Sequence, residues 1–368
     1  MTYIHNMVLP NYTHDDSSRN LFANDLSLHI NNKIYAKCYK NFYNDLPKKI
    51  STKYQLSQTR NFLLKKTPYK FWSSLKRNNQ EVLFDNVGSV IHQQINKFSF
   101  KKFNKNLKYG TIKLSKKICT PKYLTSVDIH CMPGGYTHKS SSDDISVGAL
   151  YDSSLYQYSR NSLGKYNDDM GNSVCLWLKN NFKTFIPDKI LDMGCGIGNN
   201  SIPYKNHFSK SKVIAIDISA PLLKYAFVRS NLFKSNIDFQ QQNAERTSFK
   251  KKSFDLIVSH LLTHETSNKG FGNIITECKR LLKNNGIMIH VETDWNTENN
   301  VFNKLTLDWE THYNAEPFKT AHDSTNKFTL AQKCGFKPNN IYIQKIDSLN
   351  RSKYYNGKWN LFLAINKS

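Results

Sequence analysis

The sequence predicts an α/β protein in which a mostly parallel sheet carries helices on both faces, preceded by a mainly helical accessory region. Two observations predict this fold. From Lys189 onward, short apolar segments of strand character alternate with segments of helical periodicity, an alternation typical of parallel sheets. The first of these strands also runs directly into a loop with three glycines at alternate positions, followed by a segment compatible with a helix.

The predicted elements follow one another closely in this half of the chain. The predicted strands cover 189–193, 212–217, 237–240, 254–259, 286–293, 341–346 and 358–365. The predicted helices cover 167–179, 199–207, 221–235, 271–283 and 299–313.

The loop after the first strand contains Gly194, Gly196 and Gly198. Glycine is needed where a backbone turns sharply or where a ligand approaches closely, because a Cβ would clash there. Asp217 ends the second strand nineteen residues after Gly198, a spacing typical of a nucleotide-type ligand whose ribose hydroxyls bind a carboxylate. Two alternatives are a tight turn without a ligand and a dinucleotide-binding dehydrogenase, whose fingerprint requires a glycine where Asn199 stands.

This loop and three later segments resemble motifs of the class I S-adenosylmethionine-dependent methyltransferases. Residues 237–245 read IDFQQQNAE and look like the family's third strand with its Asn-Ala-Glu element, and residues 253–259 resemble its fourth strand. Residues 277–286 read ECKRLLKNNG and are similar to the family's E-x-x-R-x-L-K-P-G-G, with two asparagines in place of Pro-Gly, which turns accept. The resemblance covers roughly residues 165 to 365 and is closest to the branch of quinone C-methyltransferases and other small-molecule enzymes.

The resemblance implies a Rossmann-like sheet of seven strands, the last inserted antiparallel, with S-adenosyl-L-methionine as the cofactor. It places Asp192 at the amino-acid end of that cofactor, Asp217 at the ribose hydroxyls and the Asn243-Ala244 pair at the adenine edge. The expected cofactor-binding residues are Asp192, Gly194, Cys195, Gly196, Gly198, Asp217, Ile218, Asn243, Ala244 and Ser259.

The segment after the predicted strand at 254–259, which resembles the family's fourth strand, contains two candidate catalytic residues, His260 and His264. It follows the carboxyl end of a strand, where such sheets bind ligands. The two histidines are four residues apart and share one face if this turn is helical, and a histidine there can accept a proton from an acceptor hydroxyl near neutral pH. The alternative is that one histidine packs against the cofactor while the other is exposed.

Before the first predicted strand, Pro133-Gly134-Gly135 marks a turn in a segment that we interpret as a lid over the cofactor site. Tyr136 and Tyr151 are candidate substrate-binding residues of that lid. The alternative is a structural turn that caps the N-terminal unit. His130 has no second ligand at metal spacing, so no metal is expected there.

A second group of candidate substrate-binding residues lies beyond the fifth predicted strand. Trp309 and Phe318 are expected to form an apolar wall around the acceptor. His312, or one of the acidic residues Asp308 and Glu316, is expected to fix the acceptor's orientation. The alternative is a surface helix that ends in a proline turn.

The chain is expected to contain three units, an accessory region at 1–125, a lid or connector at 126–165 and a methyltransferase domain at 166–368. Within the accessory region, we expect an irregular or loosely helical start to about residue 50, helices at 59–75 and 85–98, a basic connector at 101–117 and a short strand at 110–114.

The composition favours a cytoplasmic protein with a basic face. The 368 residues carry a formal net charge of +24, with 44 Lys against 8 Arg. Because nucleic-acid recognition favours the rigid donor fork of arginine, a solvated lysine face is preferred and a nucleic-acid partner is not expected. Seven cysteines without a Cys-x-x-Cys pair favour a reducing compartment over disulfides or structural zinc. No apolar run reaches the roughly 18 residues of a membrane span, and no secretory signal is recognisable.

Together these features predict a cytoplasmic S-adenosylmethionine-dependent methyltransferase that acts on a small organic acceptor. A nucleic-acid methyltransferase is one alternative, although no Asn/Asp-Pro-Pro-Tyr-like element follows the fourth strand of the resemblance. The other alternative is a catalytically silent protein that keeps the cofactor fold for binding. The sequence leaves open the acceptor, the atom that is methylated and the oligomeric state.

Overall fold

A computed structural model of the chain describes residues 9–45, 56–104, 107–159, 162–293, 301–350 and 357–367. Within these ranges eight strands form one sheet. The strands are β1 (Thr111–Lys113), β2 (Lys189–Met193), β3 (Lys212–Asp217), β4 (Ile237–Gln241), β5 (Phe254–His260), β6 (Leu282–Glu292), β7 (Ile341–Asp347) and β8 (Lys358–Ile365).

The α-helices of the described ranges cover both faces of this sheet and build the N-terminal region. The first five precede or flank β1: α1 (His14–His29), α2 (Tyr35–Asp45), α3 (Leu56–Leu63), α4 (Thr67–Gln93) and α5 (Phe100–Asn104). The next five lie between β1 and β6: α6 (Ser146–Ser159), α7 (Asp169–Asn181), α8 (Ser201–His207), α9 (Ala220–Leu232) and α10 (Asn268–Leu281). The last three follow β6: α11 (Val301–Tyr313), α12 (Lys319–Ser324) and α13 (Lys327–Lys333).

The sheet has the strand order β1-β4-β3-β2-β5-β6-β8-β7. Its strand pairs are parallel except around β8, which lies antiparallel between β6 and β7. Successive residues of β2 alternate between two buried clusters, with Ile190 in one and Leu191 in the other, so both faces of the sheet are covered. The predicted mostly parallel sheet with an antiparallel insertion is confirmed.

The sheet of the described residues has eight strands, one more than the seven that the resemblance implies. β1 comes from the N-terminal region and pairs in parallel with β4, with Thr111 opposite Asp238. Gly110 just before it has a φ of +76°, and a Cβ there would lie 1.9 Å from the carbonyl oxygen of Ile237. Only glycine permits this close approach of two backbones, which joins the accessory region to the sheet edge.

The N-terminal region is more regular than the sequence predicts. Residues 14–45 are helical throughout, and α1 begins at a capping box in which Thr13 and Asp16 bond to each other's backbone N–H groups. The predicted helix at 59–75 is divided, because α3 ends at Leu63 and α4 begins at Thr67 with a proline in its first turn. Residues 1–8 and 46–55 lie outside the described residues.

Helices α3 and α4 pack against α11 through an aromatic and charged contact. The rings of Trp72 and Trp309 are 5.7 Å apart, and the ammonium of Lys76 lies 4.0 Å from the centre of the Trp309 ring. Arg60 pairs with Asp308 at 2.8 Å. The accessory helices therefore share a buried cluster with the later part of the chain.

Helix α6 is held over the sheet by a fully buried carboxylate, Asp152. Asn167 donates a hydrogen bond to it at 2.8 Å, and so does the hydroxyl of Tyr225 at 2.8 Å. The buried guanidinium of Arg229 lies 3.3 Å away. Tyr151, the residue before Asp152, is thereby placed at the carboxyl edge of the sheet.

None of the helices in the described ranges is long and apolar enough to cross a membrane.

Replacing Asp152 with alanine is expected to lower the free energy of unfolding by about 3–5 kcal/mol, because the buried Arg229 loses this carboxylate and the donors Asn167 and Tyr225 lose their buried acceptor. Chemical denaturation followed by circular dichroism measures this change. The control is Asp347→Ala, which removes an ion pair to Lys358 whose aspartate side chain is 77% exposed. We expect no measurable change there. A similar small effect in both variants would contradict the role of Asp152.

Candidate active site

A cleft opens at the carboxyl edge of the sheet, where β2, β3 and β5 end. It consists of two adjoining cavities with volumes of about 810 and 440 Å³. Both are lined by Tyr151, Gly194, Gly196, His260 and Leu261. Parallel sheets bind ligands at this edge.

The three loop glycines have positive φ values of 66°, 52° and 71°, but they differ in what a side chain would meet. A Cβ at Gly194 would lie 2.5 Å from Leu262, and one at Gly198 would lie 3.3 Å from Phe239. A Cβ at Gly196 meets only Tyr151, at 4.0 Å, because it points into the cleft. Gly194 and Gly198 therefore serve local packing, whereas the missing side chain of Gly196 leaves room in the cleft.

Asp217 lines the larger cavity together with Ile218, Asn243 and Ala244. Its carboxylate accepts hydrogen bonds at 2.8 Å from the backbone N–H groups of Gly196 and Ser219. Burial raises the pKa of Asp217 above its usual value, against the lowering effect of these hydrogen bonds. Since each carboxylate oxygen accepts more than one hydrogen bond, Asp217 keeps capacity for a ligand hydroxyl.

The smaller cavity contains two buried polar atoms without hydrogen-bond partners, Asp192 Oδ1 and His260 Nδ1. They lie 3.8 Å apart, too far for a direct hydrogen bond. The other carboxylate oxygen of Asp192 accepts from Ser201 at 2.5 Å, and the other ring nitrogen of His260 lies 3.1 Å from the Tyr204 hydroxyl. Unpartnered buried polar atoms are rare in native proteins, so this pair indicates a place for a ligand's polar group.

Beside the larger cavity lies a carboxylate–histidine cluster, formed by His130, His264, Glu265, Glu292 and Glu316. His130 donates from Nε2 to Glu265 at 2.9 Å, and its Nδ1 lies 3.0 Å from Glu316. His264 Nδ1 lies 2.5 Å from Glu292, and its Nε2 lies 3.6 Å from Glu265. Glu265 itself lines the cleft.

The cluster shifts the pKa values of its members strongly. Burial lowers the pKa of His264, but the carboxylates of Glu292 and Glu265 outweigh this effect and raise it to about 10. In the same way, the pKa of His130 is raised well above its usual value by Glu316 and Glu265 despite burial. The pKa of Glu265 is held well below its usual range by the two histidines, although burial opposes this.

Several residues predicted for the site lie elsewhere. Ser259 is fully buried, and its hydroxyl lies 2.6 Å from His290 rather than in the cleft. Side chains alternate along a strand, so Ser259 faces the core while His260 faces the cleft. Trp309 is buried against the N-terminal helices, where its indole N–H donates to Ser73 at 2.8 Å.

The other two residues of the second substrate group also lie outside the cleft lining of the described residues. His312 has a 43% exposed side chain and lies 3.6 Å from Asp308, its neighbour on α11. Phe318 stands behind the cleft, with its ring 5.2 Å from that of Tyr123, which does line the larger cavity. Of the five candidate substrate residues, the structure places Tyr136 and Tyr151 at the cleft.

Sequence reasoning missed several residues that line the cleft. Tyr123 donates to Glu245 at 2.7 Å, and both line the larger cavity. Glu245 belongs to the Asn-Ala-Glu element, so this motif could have predicted it as a residue of the site. Glu265 directly follows His264, so its place next to a candidate residue was a usable signal. Tyr123 had no such signal, because it lies in an irregular segment far from any motif.

The pairing of His130 with His264 and Glu265 differs from the expectation of a lone histidine. The candidate ligand atoms of these three residues all lie within 4.8 Å of one another. A search for ligands close to His130 in the sequence could not find this group, because His130 and His264 belong to segments that meet only in the folded chain.

Comparisons with known proteins agree with this fold. Residues 190–286 match the family described as methyltransferase domain. A malonyl-(acyl-carrier protein) O-methyltransferase of Bacillus cereus is 24% identical over 179 residues, which are 49% of this chain and 61% of the relative. A demethylmenaquinone methyltransferase of Lactococcus lactis is 32% identical over 106 residues, 28% of this chain and 41% of the relative.

Among solved structures, a Haemonchus contortus phosphoethanolamine N-methyltransferase 2 in complex with phosphomonomethylethanolamine and S-adenosylhomocysteine is similar, with 17% identity and a TM-score of 0.45. The similarity covers 59% of this chain and 58% of that one. The chain thus spans less than two thirds of the length of each of these relatives. The family match and the observed sheet confirm the predicted resemblance: the chain carries a class I, S-adenosylmethionine-dependent methyltransferase domain.

Proposed function

We propose that the protein transfers a methyl group from S-adenosyl-L-methionine to a small organic acceptor. The observation that carries this proposal is the cleft itself, in which Asp217 and the unpartnered Asp192 Oδ1 face adjoining cavities around Gly196. An adenosyl cofactor has a ribose for the first carboxylate and an ammonium for the second. The family match of residues 190–286 supports the same cofactor.

The residues of the cleft fit the parts of this cofactor. Asp217 has remaining acceptor capacity for the ribose hydroxyls, and Asn243 and Ala244 form the wall of the same cavity where the adenine would lie. Asp192 Oδ1 is suited to accept a hydrogen bond from the amino group of the methionine portion. When bound, the cofactor supplies a methyl group that its sulfonium charge already activates, so the protein mainly positions the acceptor and excludes water.

The contacts of the two candidate histidines indicate which of them accepts a proton from the methyl acceptor. His264 pairs with two carboxylates, and its raised pKa of about 10 keeps it cationic at neutral pH. His264 therefore orients neighbouring carboxylates or an anionic acceptor group. His260 is the better candidate for a proton acceptor, because its Nδ1 has no hydrogen-bond partner and it lines both cavities.

A small acceptor is favoured over a nucleic acid by the surroundings of the cleft. Tyr136 and Tyr151 close over it from the lid segment, with their rings 5.6 Å apart. Three curated relatives have stated activities: two are named for malonyl-(acyl-carrier protein) and one for demethylmenaquinone, and both of these are organic acceptors. We propose a cytoplasmic location on the basis of the cysteine pattern.

The proposed activity is tested by incubating the purified protein with S-adenosyl-L-methionine and a metabolite extract. We expect mass spectrometry to detect a small molecule that gains one methyl group, together with stoichiometric S-adenosylhomocysteine. RNA and DNA are offered in parallel. Methylation of the nucleic acid at physiological salt would overturn the small-molecule assignment, and cofactor binding without any turnover would support a silent binding protein instead.

Replacing Asp217 with alanine is expected to weaken S-adenosyl-L-methionine binding at least about tenfold, roughly 1.4 kcal/mol, because a charge-assisted hydrogen bond to the ribose is lost. Isothermal titration calorimetry measures the change. Asp238→Ala is the control, because the carboxylate of Asp238 contacts Thr111 and Lys212, which lie outside the cleft. Tight binding of NAD by the wild type, with no response to S-adenosyl-L-methionine, would contradict the assignment.

Replacing Gly196 with valine is expected to abolish cofactor binding, because the new side chain enters the cleft. Gly335→Val is the control for the backbone strain of a valine at positive φ, because the φ of Gly335 is +92°. A Cβ at Gly335 meets only Lys279, at 3.9 Å. Both variants are expected to lose similar stability in thermal denaturation. Calorimetry should show that only Gly335→Val still binds the cofactor. Normal binding by the Gly196 variant would mean that the loop has only a structural role.

A further inference from the structure

We propose that His130, His264 and Glu265 form a binding site for a divalent transition-metal ion in the wall of the cleft. The three side chains come from the lid segment and from the turn after β5, and their candidate ligand atoms lie within 4.8 Å of one another. Glu265 faces the cleft, so an ion held here would be open to a bound molecule.

The distances between the ligand atoms fit a single ion. His130 Nε2 lies 2.9 Å and His264 Nε2 lies 3.6 Å from the same oxygen, Glu265 Oε1. Two ligands bound at about 2.1 Å are separated by roughly 3.0 Å at a right angle and roughly 3.4 Å in a tetrahedron. A small movement of these side chains therefore gives normal metal–ligand bonds.

The second nitrogen of each imidazole is held by a further carboxylate. Nδ1 of His130 lies 3.0 Å from Glu316, and Nδ1 of His264 lies 2.5 Å from Glu292. Histidine ligands of metals almost always donate their other N–H in this way, which fixes the tautomer, and each Nε2 binds the ion as its proton is released to solvent. An ion-pair network requires neither this repeated arrangement nor two Nε2 atoms that converge on one carboxylate.

The outer carboxylates are themselves fixed. Glu292 accepts hydrogen bonds from the backbone N–H and the hydroxyl of Thr263, and Glu316 accepts from Asn314 at 2.9 Å. All of these groups are buried. The two histidines are thus held in place before any ion arrives.

A separate observation points to a missing ligand. Glu265 Oε2 is buried and has no hydrogen-bond partner, in a residue that is only 8% exposed. A buried carboxylate oxygen without a partner is unfavourable by about 1–3 kcal/mol or more. A cation that Glu265 binds through both of its oxygens would satisfy Oε2 as well as Oε1.

Two imidazoles and one carboxylate favour zinc, manganese, iron, cobalt or nickel over magnesium or calcium, which prefer oxygen ligands. Three protein ligands also leave coordination positions open, as in catalytic sites. If the proposed methyl transfer holds, a hydroxyl of the acceptor can occupy one of them, and its proton passes to His260, the candidate proton acceptor of the cleft. The oxygen then forms the new O–CH₃ bond while the S–CH₃ bond breaks, with its electron pair remaining on sulfur.

Titration of the chelator-stripped, full-length protein with Co²⁺ alone tests the site by calorimetry and visible absorption. We expect one ion per chain in the wild type and in the control His138→Ala, which removes an exposed histidine of the same segment. His130→Ala and Glu265→Gln should weaken binding at least tenfold. Glu292→Gln and Glu316→Gln should weaken it about 10–100-fold, as expected for outer partners of metal ligands.

Circular dichroism and S-adenosyl-L-methionine titration of the same metal-free proteins show whether each variant is folded. No bound Co²⁺ in the wild type, equal binding by His130→Ala, or the charge-transfer band of a thiolate ligand would each overturn the metal site. Metal binding without cofactor binding would leave the site standing and overturn the proposed methyl transfer instead.

Discussion

The Glu265 carboxylate is the interaction on which the geometry of the site depends. It is buried at the end of the turn after β5 and accepts hydrogen bonds from His130 and from the Tyr136 hydroxyl at 2.9 and 3.0 Å. Both donors belong to the segment that precedes α6, so one carboxylate ties that segment to the carboxyl edge of the sheet. Breaking a buried ionic contact of this kind costs several kcal/mol because the remaining charges stay desolvated. The segment that precedes α6 is therefore part of the folded core.

The two sides of the cleft are built differently. On the side that we propose for the cofactor, the main chain determines the geometry, because Gly196 leaves open space and Asp217 is held by main-chain N–H groups. On the side that we propose for the acceptor, the wall contains buried charged side chains, with His264 between Glu265 and Glu292. The attraction between their opposite charges offsets part of the desolvation penalty of each group. This division fits a fold that keeps one cofactor while the acceptor differs between relatives.

The N-terminal region is joined to the rest of the chain both at the sheet edge and beside the cleft. Its β1 strand extends the sheet beside β4, and its helix α4 packs on α11 through Trp72 and Trp309. The same α11 leads into Asn314 and Glu316, which hold the carboxylate–histidine cluster. The accessory helices therefore support the carboxylate–histidine cluster through α11, and Trp309 has a structural role there.

The amino-acid sequence by itself determined the parallel sheet, the glycine loop and the position of Asp217. These features depend on strand–turn–helix units of a few dozen residues, in which apolar periodicity and glycine positions are read directly. Only the tertiary structure decided that Ser259 faces the core and that Trp309 packs against the N-terminal helices. It alone also brought His130 to Glu265, 135 residues apart. Such contacts depend on how distant segments pack against each other, and no local pattern encodes that packing.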